Sequence, residues 1–207
     1  MEIIKGTGVA LITPFNEDLS IDYVGLEKLI NYQIEGGIDY LVLMGTTGES
    51  TVLSKQEKQA VIAFCIKINN GILPIVLGIG GNNTLALVEE IKHTNFTAVD
   101  AILSVSPCYN KPTQEGIYQH YKMIAQACPL PIILYNVPGR TASNMEAETT
   151  LRLANDFENI VAVKEASGDM DQIMKILKDK PANFVVLSGD DGLTLPMIYM
   201  GAEGVVS

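Results

Sequence analysis

The segment NIVAVKEASGD, residues 159 to 169, runs through Ile160, Val161, Ala162 and Val163 and then ends in Lys164 and Glu165. Four consecutive apolar residues read as a strand buried on both faces. A lysine is seldom fully buried without a partner, so one that closes such a strand needs an explanation. Desolvation disfavours the ammonium form and lowers a lysine's pKa, sometimes by several units. The neutral amine is a nucleophile that attacks a ketone or aldehyde to form a Schiff base. The structural alternatives are a snorkelling lysine or a buried ion pair with Glu165. Adjacent residues on a strand point to opposite faces, which makes that pair hard to form.

Other polar residues close apolar runs in the same way. Tyr135 ends the run PIILY, where a phenol could move protons to and from a carbinolamine; an amphipathic tyrosine at the edge of a core is the alternative. Arg140 is one of only two arginines, the other being Arg152, and it follows Pro138 and Gly139 in YNVPGRT. A guanidinium fork in that loop suits a substrate carboxylate, and a plain surface arginine fits the sequence equally well. GTTGES, residues 45 to 50, offers the hydroxyls of Thr46 and Thr47 and successive backbone N–H groups that could cradle an anion. Glycine-flanked threonines also occur in ordinary turns.

Metal-assisted chemistry competes poorly. Zinc sites gather several His, Cys or carboxylate ligands, and the chain has two histidines, His93 and His120, neither at a strand end. Both fall in polar helical stretches and are expected at the surface. A magnesium site from Glu165, Asp190 and Asp191 stays open as a minor alternative. The expected metal content is none. Three cysteines, Cys65, Cys108 and Cys128, in no CxxC spacing, argue against a disulfide framework and fit a reducing cytoplasm. Cys65, inside VIAFCIKI, reads as a small core hydrophobe. A net charge of −10 argues against nucleic acid and anionic membrane surfaces as partners. No stretch is apolar enough to span a bilayer, and the N-terminus lacks a signal-peptide pattern.

What must position these residues is a repeating framework. Eight apolar runs with turn residues at their ends recur at 8–12, 40–44, 74–78, 101–105, 131–135, 160–164, 184–188 and 204–207. Helix-like patterns lie between them, over 21–35, 54–68, 84–93, 115–127, 145–155 and 169–178. The second opens with Ser54 and Glu57 in capping-box spacing. Parallel strands with right-handed crossovers give an open doubly wound sheet or a closed (β/α)8 TIM barrel. Eight runs favour the barrel, and no GxGxxG opens the first helix. GIGGNN at 78–83 reads as a tight turn. The expectation is a single α/β barrel domain over residues 1–207, with the site at the carboxyl ends of its strands. Because no helix follows the eighth run, a piece of a longer protein, truncated after strand 8, is favoured over a last strand left exposed or covered by a partner.

GTTGES, YNVPGRT and KEASGD together closely resemble the dihydrodipicolinate synthase family of pyruvate-dependent class I aldolases, whose superfamily includes N-acetylneuraminate lyase. The resemblance extends from Gly6 to Ser207. It implies that pyruvate condenses with aspartate semialdehyde in lysine and diaminopimelate synthesis, without a cofactor, through a Schiff base on Lys164. It further implies that Tyr135 serves the proton transfers, with Thr46 linking it to a Tyr109 supplied by a neighbouring subunit. Thr46 and Thr47 would hold the pyruvate carboxylate and Arg140 the carboxylate of the aldehyde, with Gly189 and Val206 lining the pocket. Arg140 favours the synthase over sugar-acid lyases, which usually lack an arginine there. A homo-oligomer, a dimer of dimers, is implied as well. Family members also carry a lysine-feedback site, and its matching positions Ser50, Lys55, Lys58, Asn82, Ala86 and Cys108 depart from the sensitive pattern. Ala86 stands where an acid is usual and Cys108 where a tyrosine is usual, while Lys55 and Lys58 add two cations. Weak or absent lysine inhibition follows. Another pyruvate-dependent aldolase and a catalytically inactive barrel scaffold are the remaining readings.

Overall fold

A computed structural model describes residues 2–207. Eight parallel strands close into a barrel in chain order: β1 (Gly6–Ala10), β2 (Tyr40–Leu43), β3 (Ile75–Gly78), β4 (Ala101–Val105), β5 (Ile132–Asn136), β6 (Ile160–Glu165), β7 (Val185–Ser188) and β8 (Gly204–Val206). Closure is made by β8 on β1, with Gly6 opposite Gly204 and Gly8 opposite Val206. The helices are α1 (Tyr23–Glu35), α2 (Lys55–Asn69), α3 (Thr84–His93), α4 (Gln114–Ala127), α5 (Pro138–Thr141), α6 (Ala147–Asp156), α7 (Met170–Asp179) and α8 (Thr194–Tyr199). No described helix is long and apolar enough to cross a membrane.

Local chemistry sets the helix starts. Asp22, Asn83, Thr113 and Asp169 each accept a first-turn backbone N–H, and Ser54 with Glu57 forms the expected capping box. The core has two layers. Tyr40, Val42, Val76, Leu103, Ile133, Tyr135, Ala162 and Leu187 fill the barrel interior. Leu41, Leu43, Leu77, Ile102, Leu134, Val163 and Val186 face outward and pack against Leu26, Ile30, Val61, Cys65, Ile91 and Ile124 of the helices. Cys65 is a buried free thiol in that outer layer. Inside, the Tyr40 ring lies where a Cβ on Gly8 would stand, so glycine in β1 makes room for it.

One strand pairing is irregular. Ile132 pairs with Ile160, but Ile133 pairs with Ala162, leaving Val161 as an extra residue in β6. Ile160 packs in the outer layer, Val161 and Ala162 both pack inside, and Val163 packs outside again. The bulge therefore breaks the alternation of β6 and turns Lys164 inward and Glu165 outward.

Three expectations need correction. The histidines do not both lie at the surface: His120 is buried, because Ile117, Tyr121 and Ile124 make its side of α4 the packed face. The helical turn α5 replaces what read as loop, with Pro138 at its first position. Residues 194–199, outside the helix-like patterns read from the sequence, form α8.

Candidate active site

Lys164, Tyr135, Thr46, Thr47, Arg140, Gly189 and Val206 all line one cavity of about 570 Å³. Each comes from the carboxyl end of a strand or the loop after it, where a parallel barrel places its variable chemistry. Lys164 is only 7% exposed, on β6, and its Nζ lies 4.5 Å from the centre of the Tyr135 ring. Tyr135 and Lys164 are direct neighbours across the β5–β6 pairing. Burial holds the Lys164 pKa down at about 8; the nearby Arg140 charge pushes the same way, and the Asp191 carboxylate opposes both. Burial raises the Tyr135 phenol, with Arg140 pulling it back. The result is an amine that is uncharged for an appreciable part of the time at neutral pH beside a phenol that stays protonated.

The GTTGES loop joins β2 to α2 through a short helical turn at Ser50–Val52. Thr13 Oγ donates to the Gly48 carbonyl at 2.7 Å, tying the loop to the end of β1. Met44 just before the loop and Glu49 within it take left-handed backbone angles, with φ of 57° and 52°. Strained backbone of this kind recurs where a loop must present groups to a ligand. Thr46 and Thr47 are themselves exposed to the cavity mouth. Arg140 sits on α5, exposed at the rim, with α5 held by backbone bonds from Arg140 and Thr141 to the Val137 carbonyl.

Two predicted sets are placed elsewhere. Tyr109 is 86% exposed and does not line the cavity; only its backbone N–H reaches the rim, donating to the Thr141 carbonyl at 3.1 Å. Within one chain it is not assembled with Tyr135 and Lys164. Of the effector positions, Ser50, Lys55, Lys58 and Ala86 line a second cavity of about 970 Å³ between α2 and α3 that reaches Thr46 and Tyr135 at its inner end. Asn82 and Cys108 pair beside it, the Cys108 N–H and Sγ both donating to Asn82 Oδ1. Glu165 faces the outer side of the sheet, so it cannot join Asp190 and Asp191 around a cation. Among the described residues no three His, Cys, Asp or Glu side chains are grouped as a metal site requires.

Sequence reasoning missed Asp191 and Ser207 as site residues. Both line the same cavity as Lys164, and Ser207 Oγ donates to the Asp191 carboxylate at 3.1 Å. The signal was present in SGDD at the end of the seventh run, where the two acids read only as candidate metal ligands.

Known proteins resemble this chain over nearly all of its length. The Dihydrodipicolinate synthetase family matches residues 4–207. A 4-hydroxy-tetrahydrodipicolinate synthase of Flavobacterium psychrophilum is 60% identical over 207 residues, covering 100% of this chain and 71% of that protein. The protein of the same name from Bacillus subtilis is 50% identical over 198 residues, covering 96% of this chain and 68% of its own length. The crystal structure of dihydrodipicolinate synthase from Aquifex aeolicus superposes with a TM-score of 0.93 at 45% identity, over 99% of this chain and 69% of that one.

Proposed function

The chain belongs to the dihydrodipicolinate synthetase family, and on that footing we propose how its residues carry the reaction. It is a 4-hydroxy-tetrahydrodipicolinate synthase, a Schiff-base lyase that condenses pyruvate with L-aspartate-4-semialdehyde. The observation that carries the mechanism is the Lys164 amine, buried inside the barrel against the Tyr135 ring and within the electrostatic reach of Arg140. The neutral amine attacks the keto carbon of pyruvate to give a carbinolamine. Tyr135 moves the protons that release water and leave the imine. Loss of a methyl proton gives an enamine, whose carbon attacks the aldehyde carbon of the second substrate. That substrate's own amine then attacks the imine carbon, closes the ring and frees Lys164. Thr46 and Thr47, with the strained loop behind them, hold the pyruvate carboxylate, and Arg140 takes the carboxylate of the aldehyde.

The covalent imine is the electron sink, so the scheme uses no cofactor. Thr46 relays protons between Tyr135 and Tyr109. Because Tyr109 of the same chain stands away from the cavity, the relay takes this residue from a neighbouring subunit, within a dimer of dimers. A reducing cytoplasm suits the free cysteines. Ala86, Lys55 and Lys58 make the groove between α2 and α3 a poor receptor for cationic lysine.

Borohydride trapping tests the scheme. Incubation with pyruvate and reduction is expected to add the reduced adduct to Lys164 and nowhere else, with turnover on addition of aspartate semialdehyde. No added mass on Lys164 overturns the Schiff-base scheme. Trapping by pyruvate with turnover only of sugar acids would assign the chain to the lyase branch instead.

A further inference from the structure

Glu165 follows the Schiff-base lysine and has no role in the scheme above, yet it is fully buried. Its surroundings are unusual for a carboxylate with no chemistry to do. Asn136 Nδ2 donates to both of its oxygens at 3.1 and 3.2 Å, the Ser167 N–H donates to Oε1 at 2.8 Å, and Gln172 Nε2 donates to Oε2 at 3.2 Å. Asn136, also fully buried, is the residue that follows Tyr135. Its orientation is set independently: the Met145 N–H donates to Oδ1 at 2.9 Å, which leaves Nδ2 aimed at Glu165. Nδ2 also reaches Asn144 Oδ1 at 2.8 Å, and Gln172 Nε2 reaches the Met145 carbonyl at 3.2 Å. The network thus joins the ends of β5 and β6, the first turns of α7 and the chain that follows Arg140.

Its place in the pairing gives this network a consequence. At the start of β6 the extra residue Val161 shifts the register, so that Tyr135 faces Lys164 and Asn136 faces Glu165. Because side chains alternate along a strand, a slip of one residue would turn Lys164 out of the barrel. The bulge creates the register that catalysis needs, and the outer-face pair lies at the other end of the same stretch. We propose that Asn136 and Glu165 are positioning residues: their bond on the outside of the barrel locks the shifted β5–β6 register and so holds Lys164 against Tyr135 inside it. All the bonds that Glu165 receives come from N–H donors, so an acceptor-only carboxylate satisfies every one of them. An amide at this position would turn one of its own N–H groups against these donors.

This inference rests on the Schiff-base reading of Lys164, and its test separates the two. The tetrameric or dimeric enzyme as purified is compared with Glu165→Gln and with Gln172→Ala, which removes one of the donors to Glu165 together with the Gln172 bonds to Asn144 and the Met145 carbonyl. Measured are kcat, KM for pyruvate, the thermal midpoint, and the pH dependence of borohydride trapping. In folded Glu165→Gln, kcat is expected to fall about 10- to 100-fold, the range for loss of a buried group that orients a reacting one. KM for pyruvate is expected to change less, and the trapping midpoint to rise, because a loosened strand end admits water to the amine. Gln172→Ala gives smaller changes of the same sign. Arg152→Ala, which removes the ion pairs with Glu115 and Asp156 and the stacking of the guanidinium on the Tyr118 ring, lowers stability and leaves the trapping midpoint in place. Wild-type kcat and midpoint in folded Glu165→Gln overturn the proposal, and if that variant does not fold, an unchanged Gln172→Ala overturns it. Failure of the wild-type enzyme to trap pyruvate would overturn the Schiff-base reading instead.

Discussion

Gly189 at the end of β7 offers a sharp test of how closely Lys164 is held. Its N–H donates to the Glu165 carbonyl at 2.8 Å, which seats it directly beside the lysine stem. A Cβ built on Gly189 would stand 2.8 Å from Lys164 Cε, 3.0 Å from Lys164 Cγ and 2.9 Å from Ala166 Cβ. Carbon atoms prefer separations of about 3.5–4.0 Å, so Gly189→Ala must drive the stem back by about 0.5–1 Å. The backbone of Gly189 lies outside the left-handed region, so alanine is opposed by these contacts with Lys164 and Ala166 and not by backbone strain. The far side of Lys164 is closed by the Tyr135 ring, which leaves the stem little room to give without moving the amine. A displacement of about 1 Å can cost on the order of 10²-fold in rate, or about 2.7 kcal/mol of activation free energy. The destabilisation from overpacking is expected near the low end of about 1–3 kcal/mol, since open cavity adjoins the site. The assay is the single-turnover rate of imine trapping with saturating pyruvate at pH 8 and again at pH 9.5, alongside the thermal midpoint. The defect is geometric and should persist at the higher pH, where a defect in protonation would recover. Gly189→Ala that traps pyruvate within twofold of wild type would refute the claim that this contact positions the amine.

Charge predicts a pair of opposite shifts. With the Lys164 pKa at about 8 against an ordinary 10.5, the uncharged amine at pH 7 is about 300-fold more abundant than in a solvated lysine. Trapping should therefore rise through pH 8. Arg140→Ala removes a cation that holds the pKa down and should move the midpoint up, whereas Asp191→Asn should move it down; shifts in one common direction refute this. His120 couples stability to acid. Its Nδ1 lies 2.8 Å from Thr84 Oγ, its Nε2 has no hydrogen-bond partner among the described residues, and burial lowers its pKa from 6.5 to about 4. The unfolded chain then takes up the proton first, so this contribution is full above 6.5 and is lost as pH falls to about 4, by about 3 kcal/mol at most. His120→Gln should flatten urea-derived stability over that interval, and an unchanged pH dependence refutes the assignment. Finally, millimolar lysine should leave the steady-state rate nearly unchanged. Lys55 and Lys58 share the groove with Ala86, and Glu89 on the same wall is already paired with Lys92; half-inhibition at micromolar lysine refutes this.

How much of this was legible in the chain depends on what kind of signal each feature leaves. The eight strands were readable because parallel strands covered on both faces appear as unbroken apolar runs, and the helices between them carry caps and apolar faces. α8 left a weak trace because a six-residue helix spans fewer than two turns, too short for a period to show. His120 misled because polar neighbours at Gln119 and Lys122 masked the spacing of Ile117, Tyr121 and Ile124, which alone decides the buried face. Asp191 was noticed only as part of a minor metal alternative, since a carboxylate reads alike as a metal ligand and as a charge that tunes a lysine.

The facing of Lys164 was not readable from the apolar run that carries it, and the reason is physical. A run such as Ile160–Val163 is apolar at every position because both of its faces are buried, so it contains no alternation from which to count inward and outward residues. Counting from outward Ile160 with a period of two would send Lys164 outward among the helices. The structure sends it inward by inserting Val161 into the pairing, a device that leaves no mark in composition. What the sequence does carry is the pair of polar residues that must follow such a shift: Asn136 directly after Tyr135 and Glu165 directly after Lys164. Two buried polar groups on adjacent strand ends can be satisfied together in one register and not in the register one residue away. The outward residues therefore encode where the inward ones point. The acid that looked like an awkward neighbour of the lysine is, on this reasoning, part of what aims it.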